Sequence, residues 1–377
     1  MTNGSIFILP ANHVSKRTQT QGSLPQVPYH NSSIRHSNAK TFFPEPELVD
    51  ETIQIQKKGH AFPLVTISLI KYRFVNAYTL SWTYTGSDFI NLFDFYNDAS
   101  EADPTGSSSD PSAAFYTPQS AAEDQGLVWV NSEGHFGLSV DSTNVYSGSN
   151  LRPSVRISSQ TTIQYGLLIL DAVHLPYGNG TWPAFWLLGA ETAWPYSGEI
   201  DIYEGVGNSV QNTVSYHTSD GCSYESNPDQ TGILNTAVGT DCNALENNDE
   251  ACGNTDPSTT SFGSGASNGG GSIYAIEWTS TFIKTWHFNR NKVPSDITLG
   301  DPDPSNWGRP VTVLTSANCD IDEYFGPQTI IFNIELCGTW EGAVFPGGPQ
   351  ACVEFVQKNP SAFKTAYFEI SSLKYYQ

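Results

Sequence analysis

Glu199, Asp201 and Glu204 stand within six residues of one another, in the stretch Ser197-Gly198-Glu199-Ile200-Asp201-Ile202-Tyr203-Glu204-Gly205. Two carboxyls held close together can divide the roles of nucleophile and proton donor at an acetal carbon, which is the chemistry of glycoside cleavage. A third acid between them can share a proton with the nucleophile, and its charge helps keep the donor protonated. On a strand face with no such task, three carboxylates would only repel one another.

The intervening residues set the element. Ile200, Ile202 and Tyr203 favour a strand, and glycine bounds it at each end. On a regular strand Glu199 and Asp201 share a face while Glu204 points the other way. One inserted residue between Asp201 and Glu204 brings all three together, and such bulges are frequent beside active sites. The two glutamate Cα atoms then lie roughly 13 Å apart at about 3.3 Å per residue. Long side chains leaning together can close that to the ~5–5.5 Å between carboxyls that cleavage with retention requires. Residues 212–218 read as the return strand, and a hairpin folded about Asn208 places His217 close to opposite Glu199.

The flanks carry a resemblance. T-W-P-A-F-W (181–186), then Trp194-Pro195, G-E-I-D-I-Y-E-G-V (198–206) and H-T-S-D-G-C (217–222) resemble glycoside hydrolase family 16, in particular its fungal endo-β-1,3(4)-glucanase (laminarinase-like) branch. The resemblance runs from about residue 78 to 377. It implies an all-β, concanavalin-like jelly-roll sandwich of two curved antiparallel sheets with an open concave cleft. By the motif, Glu199 is the nucleophile, Asp201 its assistant and Glu204 the acid/base. Sugars present apolar faces that stack on aromatic rings, so Trp182, Trp186 and Trp194 are expected to bind substrate together with His217. Trp278, at the family's E-W position, is expected as a further platform.

R-P-S-V-R (152–156) is also similar to the family, and brings Arg156 either to the cleft or into a structural ion pair. Phe115 stands where relatives place an asparagine before a tyrosine, here Tyr116. Asn179 replaces a cysteine of many relatives and creates the glycosylation sequon Asn179-Gly180-Thr181. His174 reads as structural. No cofactor is required, because two carboxyls supply the chemistry. The resemblance permits a structural calcium on the convex side, although no acidic loop of ligand spacing accompanies it.

Composition narrows the partners. With 17 basic against 38 acidic residues in 377, the net charge is −21. That disfavours nucleic acid and anionic membranes, whereas a neutral β-glucan imposes no penalty. The expected state is a monomer. Aromatic residues reach 12%, with nine tryptophans, of which Trp82, Trp129 and Trp286 read as core. The six cysteines contain no C-x-x-C pair, so disulfides and an oxidising compartment are expected. Cys242 and Cys252 make the easiest pair, and the remaining connectivity stays open.

Residues 1–77 differ from the rest: 8 basic and 4 acidic residues in a Ser/Asn/Gln/Thr-rich segment, read as a disordered low-complexity extension ahead of a catalytic domain at 78–377. No signal peptide starts at Met1, yet residues 57–77 resemble one, with Lys57-Lys58, an apolar run and Val75-Asn76-Ala77. The run is too short to span a bilayer. An extracellular location is therefore the expectation. Residues 219–272 read as functional loops. Two rivals share these features: a cell-wall glucan transglycosidase using the same glutamates, and a glucan-binding lectin that needs the aromatics but not the acids.

Overall fold

Alternating apolar residues fold into two eight-stranded sheets packed face to face, the jelly-roll sandwich expected. The computed structural model describes residues 78–97 and 112–377 except 237–238 and 247–250. It also gives the backbone of two strands, Glu47–Gln54 and Thr66–Arg73. Those two pair antiparallel within a unit of their own, Met1–Phe74, where the sequence reading expected disorder. The alternation Thr66-Ile67-Ser68-Leu69-Ile70 supplies the β-formers. The rest of that reading, including most of the signal-like segment, lies outside the described residues.

The sheet that carries the acids consists of β1 (Phe93–Phe95), β2 (Arg156–Ser159), β3 (Thr181–Gly189), β4 (Glu199–Glu204), β5 (Thr213–His217), β6 (Ile233–Leu234), β7 (Cys252–Thr255) and β8 (Gln328–Leu336). Their spatial order is β6-β7-β5-β4-β3-β8-β2-β1, so β4 is flanked on both sides. In the opposing sheet the long strands Gly166–His174 and Tyr367–Tyr376 lie side by side at the centre.

The core between the sheets is aromatic. Phe185 stacks on Phe332 at 4.7 Å, and Phe89 on Phe136 at 4.9 Å. Gly166–His174 is apolar on both faces because both are covered: Leu168 and Leu170 enter the inter-sheet core, while Leu167 and Ile169 pack outward against Trp286 and Trp307. Trp286 is thus core as expected, whereas Trp82 and Trp129 are half-buried.

Three disulfides close the described structure: Cys222–Cys319, Cys242–Cys252 and Cys337–Cys352. The pair expected from spacing is present. Residues 219–272 are not purely loop, since β7 extends the acid-bearing sheet beyond β5. Its sequence, Cys-Gly-Asn-Thr, carries no apolar alternation, so pairing with Thr213–Tyr216 defines it rather than propensity.

Candidate active site

The bulge is there. Glu199, Ile200 and Asp201 pair with His217, Tyr216 and Ser215, but Glu204 pairs with Thr213, three residues on one strand against two on the other. The register against β3 slips at the same place, between Phe185 and Trp186. Ile202 and Tyr203, adjacent in sequence, therefore both enter the core, and Tyr203 stacks on Phe262 at 4.7 Å. Asn212 holds the distortion. Its Oδ1 accepts from Glu204 N at 2.9 Å and its Nδ2 donates to Ile202 O at 2.8 Å, so both backbone groups exposed by the bulge are satisfied.

Cross-strand pairing places Leu188 beside Glu199, Trp186 beside Asp201 and Ala184 beside Glu204. Ala184, Trp186, Leu188 and Ile331 form a small apolar cluster with Trp194 against it, separate from the main core. The acids thus stand next to an apolar floor, which lowers the local dielectric and strengthens each polar contact.

Each glutamate has its own indole donor. Trp194 Nε1 donates to Glu199 Oε2 at 2.7 Å, and Trp182 Nε1 donates to Glu204 Oε1 at 2.8 Å. His217 Nε2 lies 3.2 Å from Asp201 Oδ2 and 3.8 Å from Glu199 Oε1. Glu199 and Asp201 are buried while Glu204 is half-exposed. One oxygen of each glutamate is held in place, and two carboxyls so arranged can attack and protonate a bound acetal.

Arg156 is buried, with its guanidinium carbon 5.0 Å from the Trp186 ring and 5.2 Å from that of Tyr96. It borders a cavity of about 820 Å³ with Phe93, Tyr96, Gln160, Leu188 and Ile331. Leu188 is shared between this cavity and the apolar floor, so the cavity continues the acid-bearing face. The expected platform Trp278 is not part of it. Trp278 lies on the opposing sheet, 2% exposed, with its ring edge-on to Tyr165 in the inter-sheet core. A buried ring cannot stack on a sugar. His174 is structural: it bonds Tyr367 O at 2.8 Å and stacks on the Tyr367 ring.

Among the described residues, two groups bring three metal-ligating side chains together: Glu199, Asp201 and His217 on the acid-bearing sheet, and Glu133 and His135 from a hairpin turn with Glu369 of the opposing sheet. Each includes an imidazole, so neither is the all-oxygen cage that calcium takes.

The model of the XgeA-like, catalytic GH16 domain matches residues 93–376. The chain belongs to glycoside hydrolase family 16. A probable glycosidase of Schizosaccharomyces pombe is 39% identical over 307 residues, covering 80% of this chain and 69% of that protein. A probable endo-1,3(4)-beta-glucanase of Neosartorya fischeri is 37% identical over 84% of this chain. The chain spans about half the length of that relative, 48%. Among solved structures, laminarinase 16A from Phanerochaete chrysosporium, with two beta-glucans in its donor and acceptor sites, superposes with a TM-score of 0.72 at 34% identity, over 80% of this chain and all of that one. An elongating GH family 16 beta-1,3-glucosyltransferase gives the same TM-score and coverage at 37% identity.

Several residues around these acids are not evident from the motif. Trp186 Nε1 donates to Asn333 Oδ1, Asn333 Nδ2 donates to Tyr116, and Tyr116 donates to Glu335 at 2.8 Å. Trp340 packs edge-on to Trp182 at 5.9 Å. Asn333 and Glu335 alternate on β8 with core-facing Phe332 and Ile334, the one local signal that could have pointed to them.

Proposed function

We propose that this chain is a retaining endo-β-glucanase acting on β-1,3- or mixed β-1,3/1,4-glucan. The observation that carries the reading is the bulged β4, which sets Glu199, Asp201 and Glu204 together with a separate indole N–H on each glutamate. Glu199 attacks the anomeric carbon while Glu204 gives its proton to the departing glycosidic oxygen, leaving a covalent glycosyl-enzyme. Glu204, now ionised, takes a proton from water as that water attacks, and Glu199 leaves. Asp201, with His217 against it, holds Glu199 in the attacking pose. Arg156 and Tyr96 border the 820 Å³ cavity, which we take to continue the sugar-binding surface, while Trp186, 6% exposed, underlies it and supports Arg156 rather than stacking on a sugar.

The likeness to an elongating glucosyltransferase supports a second outcome on the same residues, in which a sugar hydroxyl replaces water. A lectin reading is weaker, because binding alone gives no reason to set three acids side by side. Digestion of laminarin, lichenan and cellulose, with linkage and anomeric analysis of products, tests the proposal. β-Configured oligosaccharides support it, longer chains at high acceptor concentration favour transfer, and no product from any glucan overturns both.

We assign residues 78–377 to the catalytic domain and 1–77 to an extension. The disulfides and the fungal glucanase relatives fit an extracellular protein. Asn179 is exposed at the turn before β3, which suits a glycan there. Nothing in the proposed chemistry calls for a partner subunit, and we take the protein as a monomer.

A further inference from the structure

Gly180 precedes the strand that carries Trp182, and Gly207 follows the strand that carries Glu204. The two ends are laced together: Gly207 N donates to Thr181 O at 2.8 Å and Gly178 N to Gly207 O at 3.1 Å. One side chain from a distant part of the sequence reaches both. Glu341, 4% exposed on the short helix Gly338–Val344, accepts from Gly180 N at 2.6 Å through Oε1. Its Oε2 lies against Gly207, where a Cβ would come within 2.9 Å of it. Gly180 is gripped at its other end too, since its carbonyl accepts from Cys337 N at 3.0 Å.

The same helix touches the indole that holds Glu204. Trp340 meets Trp182 edge-on, and a Cβ on Gly338 would lie 2.9 Å from the Trp182 ring. Cys337, immediately before the helix, is tied by its disulfide to Cys352 on the helix Gly348–Lys358. The helix is therefore a fixed block. Glu341 joins that block to β3, Trp340 and Gly338 set the Trp182 ring, and Trp182 Nε1 holds Glu204 Oε1.

We infer that Glu341 is a positioning residue for Glu204, acting through Gly180 and Trp182 to keep the proton-donating carboxyl in register with the leaving group. This rests on the assignment of Glu204 as acid/base made above. It has a consequence that a merely stabilising carboxyl lacks. A polysaccharide needs a proton on its departing oxygen, whereas a glycoside with a dinitrophenolate leaving group does not. Loss of positioning should therefore slow the first substrate and spare the glycosylation step of the second, although both still need Glu204 as base for the step that follows.

The experiment compares kcat on laminarin with the rate of the pre-steady-state burst of dinitrophenolate from a dinitrophenyl β-laminaribioside, which reads glycosylation alone. Glu341→Met fills the space but cannot accept from Gly180, and should lower kcat on laminarin by roughly tenfold or more. It should leave the dinitrophenolate burst rate within about threefold of wild type, with KM on laminarin little changed. Glu341→Gln keeps an acceptor oxygen and should restore the laminarin rate. Should Glu341→Met not fold, Trp340→Leu, at a half-exposed position, removes the ring edge against Trp182 and is expected to show the same split. Equal losses on both substrates, or none on either, overturn the inference alone. A wild-type protein inactive on both overturns the glucanase reading, and the inference falls with it.

Discussion

His217 faces Glu199 across the β4–β5 ladder, yet its Nε2 lies closer to Asp201, at 3.2 Å against 3.8 Å. The imidazole thus serves both acids of the buried pair. Asp201 is 2% exposed, and the imidazole that fixes its carboxylate also lies against Glu199, the proposed nucleophile. His217→Ala is expected to lower kcat on laminarin towards ~100-fold by misplacing Glu199, with the thermal midpoint little changed. A loss confined to KM would make His217 a substrate contact instead.

Burial pushes the Glu341 carboxyl up to about 7 from its ordinary 4.5, with the Gly180 N–H pulling it partly back. The folded state therefore binds that proton more tightly than the unfolded chain does. The resulting stability is fully present below about pH 4.5 and is lost as pH rises to about 7, a difference of roughly 3 kcal/mol. Glu341→Gln cannot titrate. The difference in thermal midpoint between the two proteins should grow in favour of the glutamine variant across that window and level off above it. A constant difference would remove Glu341 from the pH response.

Cys222–Cys319 and Cys242–Cys252 both lie at the His217 end of the acid-bearing sheet, but they close loops of different length, with sequence separations of 97 and 10. Loop-closure entropy gives about 4.7 kcal/mol for the longer and ~2.7 kcal/mol for the shorter. Replacing the first pair by serine should therefore cost about 2 kcal/mol more than replacing the second in urea unfolding. Thiol titration of the unreduced, denatured wild type should find no free thiol.

The arrangement of the three acids and His217 was legible because it is local. A bulge was required to put three acids from one strand on one face, and the turn about Asn208 set His217 against Glu199. The Cys242–Cys252 pair was legible for the same reason. Trp278 misled because strand periodicity tells which residues share a face, not which side of a sandwich that face meets. It lies on the opposing sheet and points into the core. Glu341, Asn333 and Trp340 reach the site from far along the chain, and no short-range pattern ties them to β3 or β4. The helix Gly348–Lys358 leaves little trace in the sequence, because its buried residues are Cys352, Val356 and the polar Gln357, too narrow an apolar stripe to mark a helix.

Each glutamate has an indole donor, Trp194 on Glu199 and Trp182 on Glu204, but Glu199 is buried beside His217 while Glu204 is half-exposed, surroundings that fit different roles. Glu204→Ala should separate the chemical steps. A dinitrophenyl glycoside needs no proton from the enzyme, so glycosylation should survive, while hydrolysis of the glycosyl-enzyme stalls without a base. Added azide attacks without needing one, so turnover should return and the product should be the β-glycosyl azide, the result of two inversions. In Glu199→Ala the nucleophile itself is missing, and azide can attack only once, giving the α-azide. Product configuration by NMR reads both outcomes. An α-azide from Glu204→Ala would reverse the two assignments, and normal laminarin hydrolysis by both variants would take the chemistry away from β4 altogether.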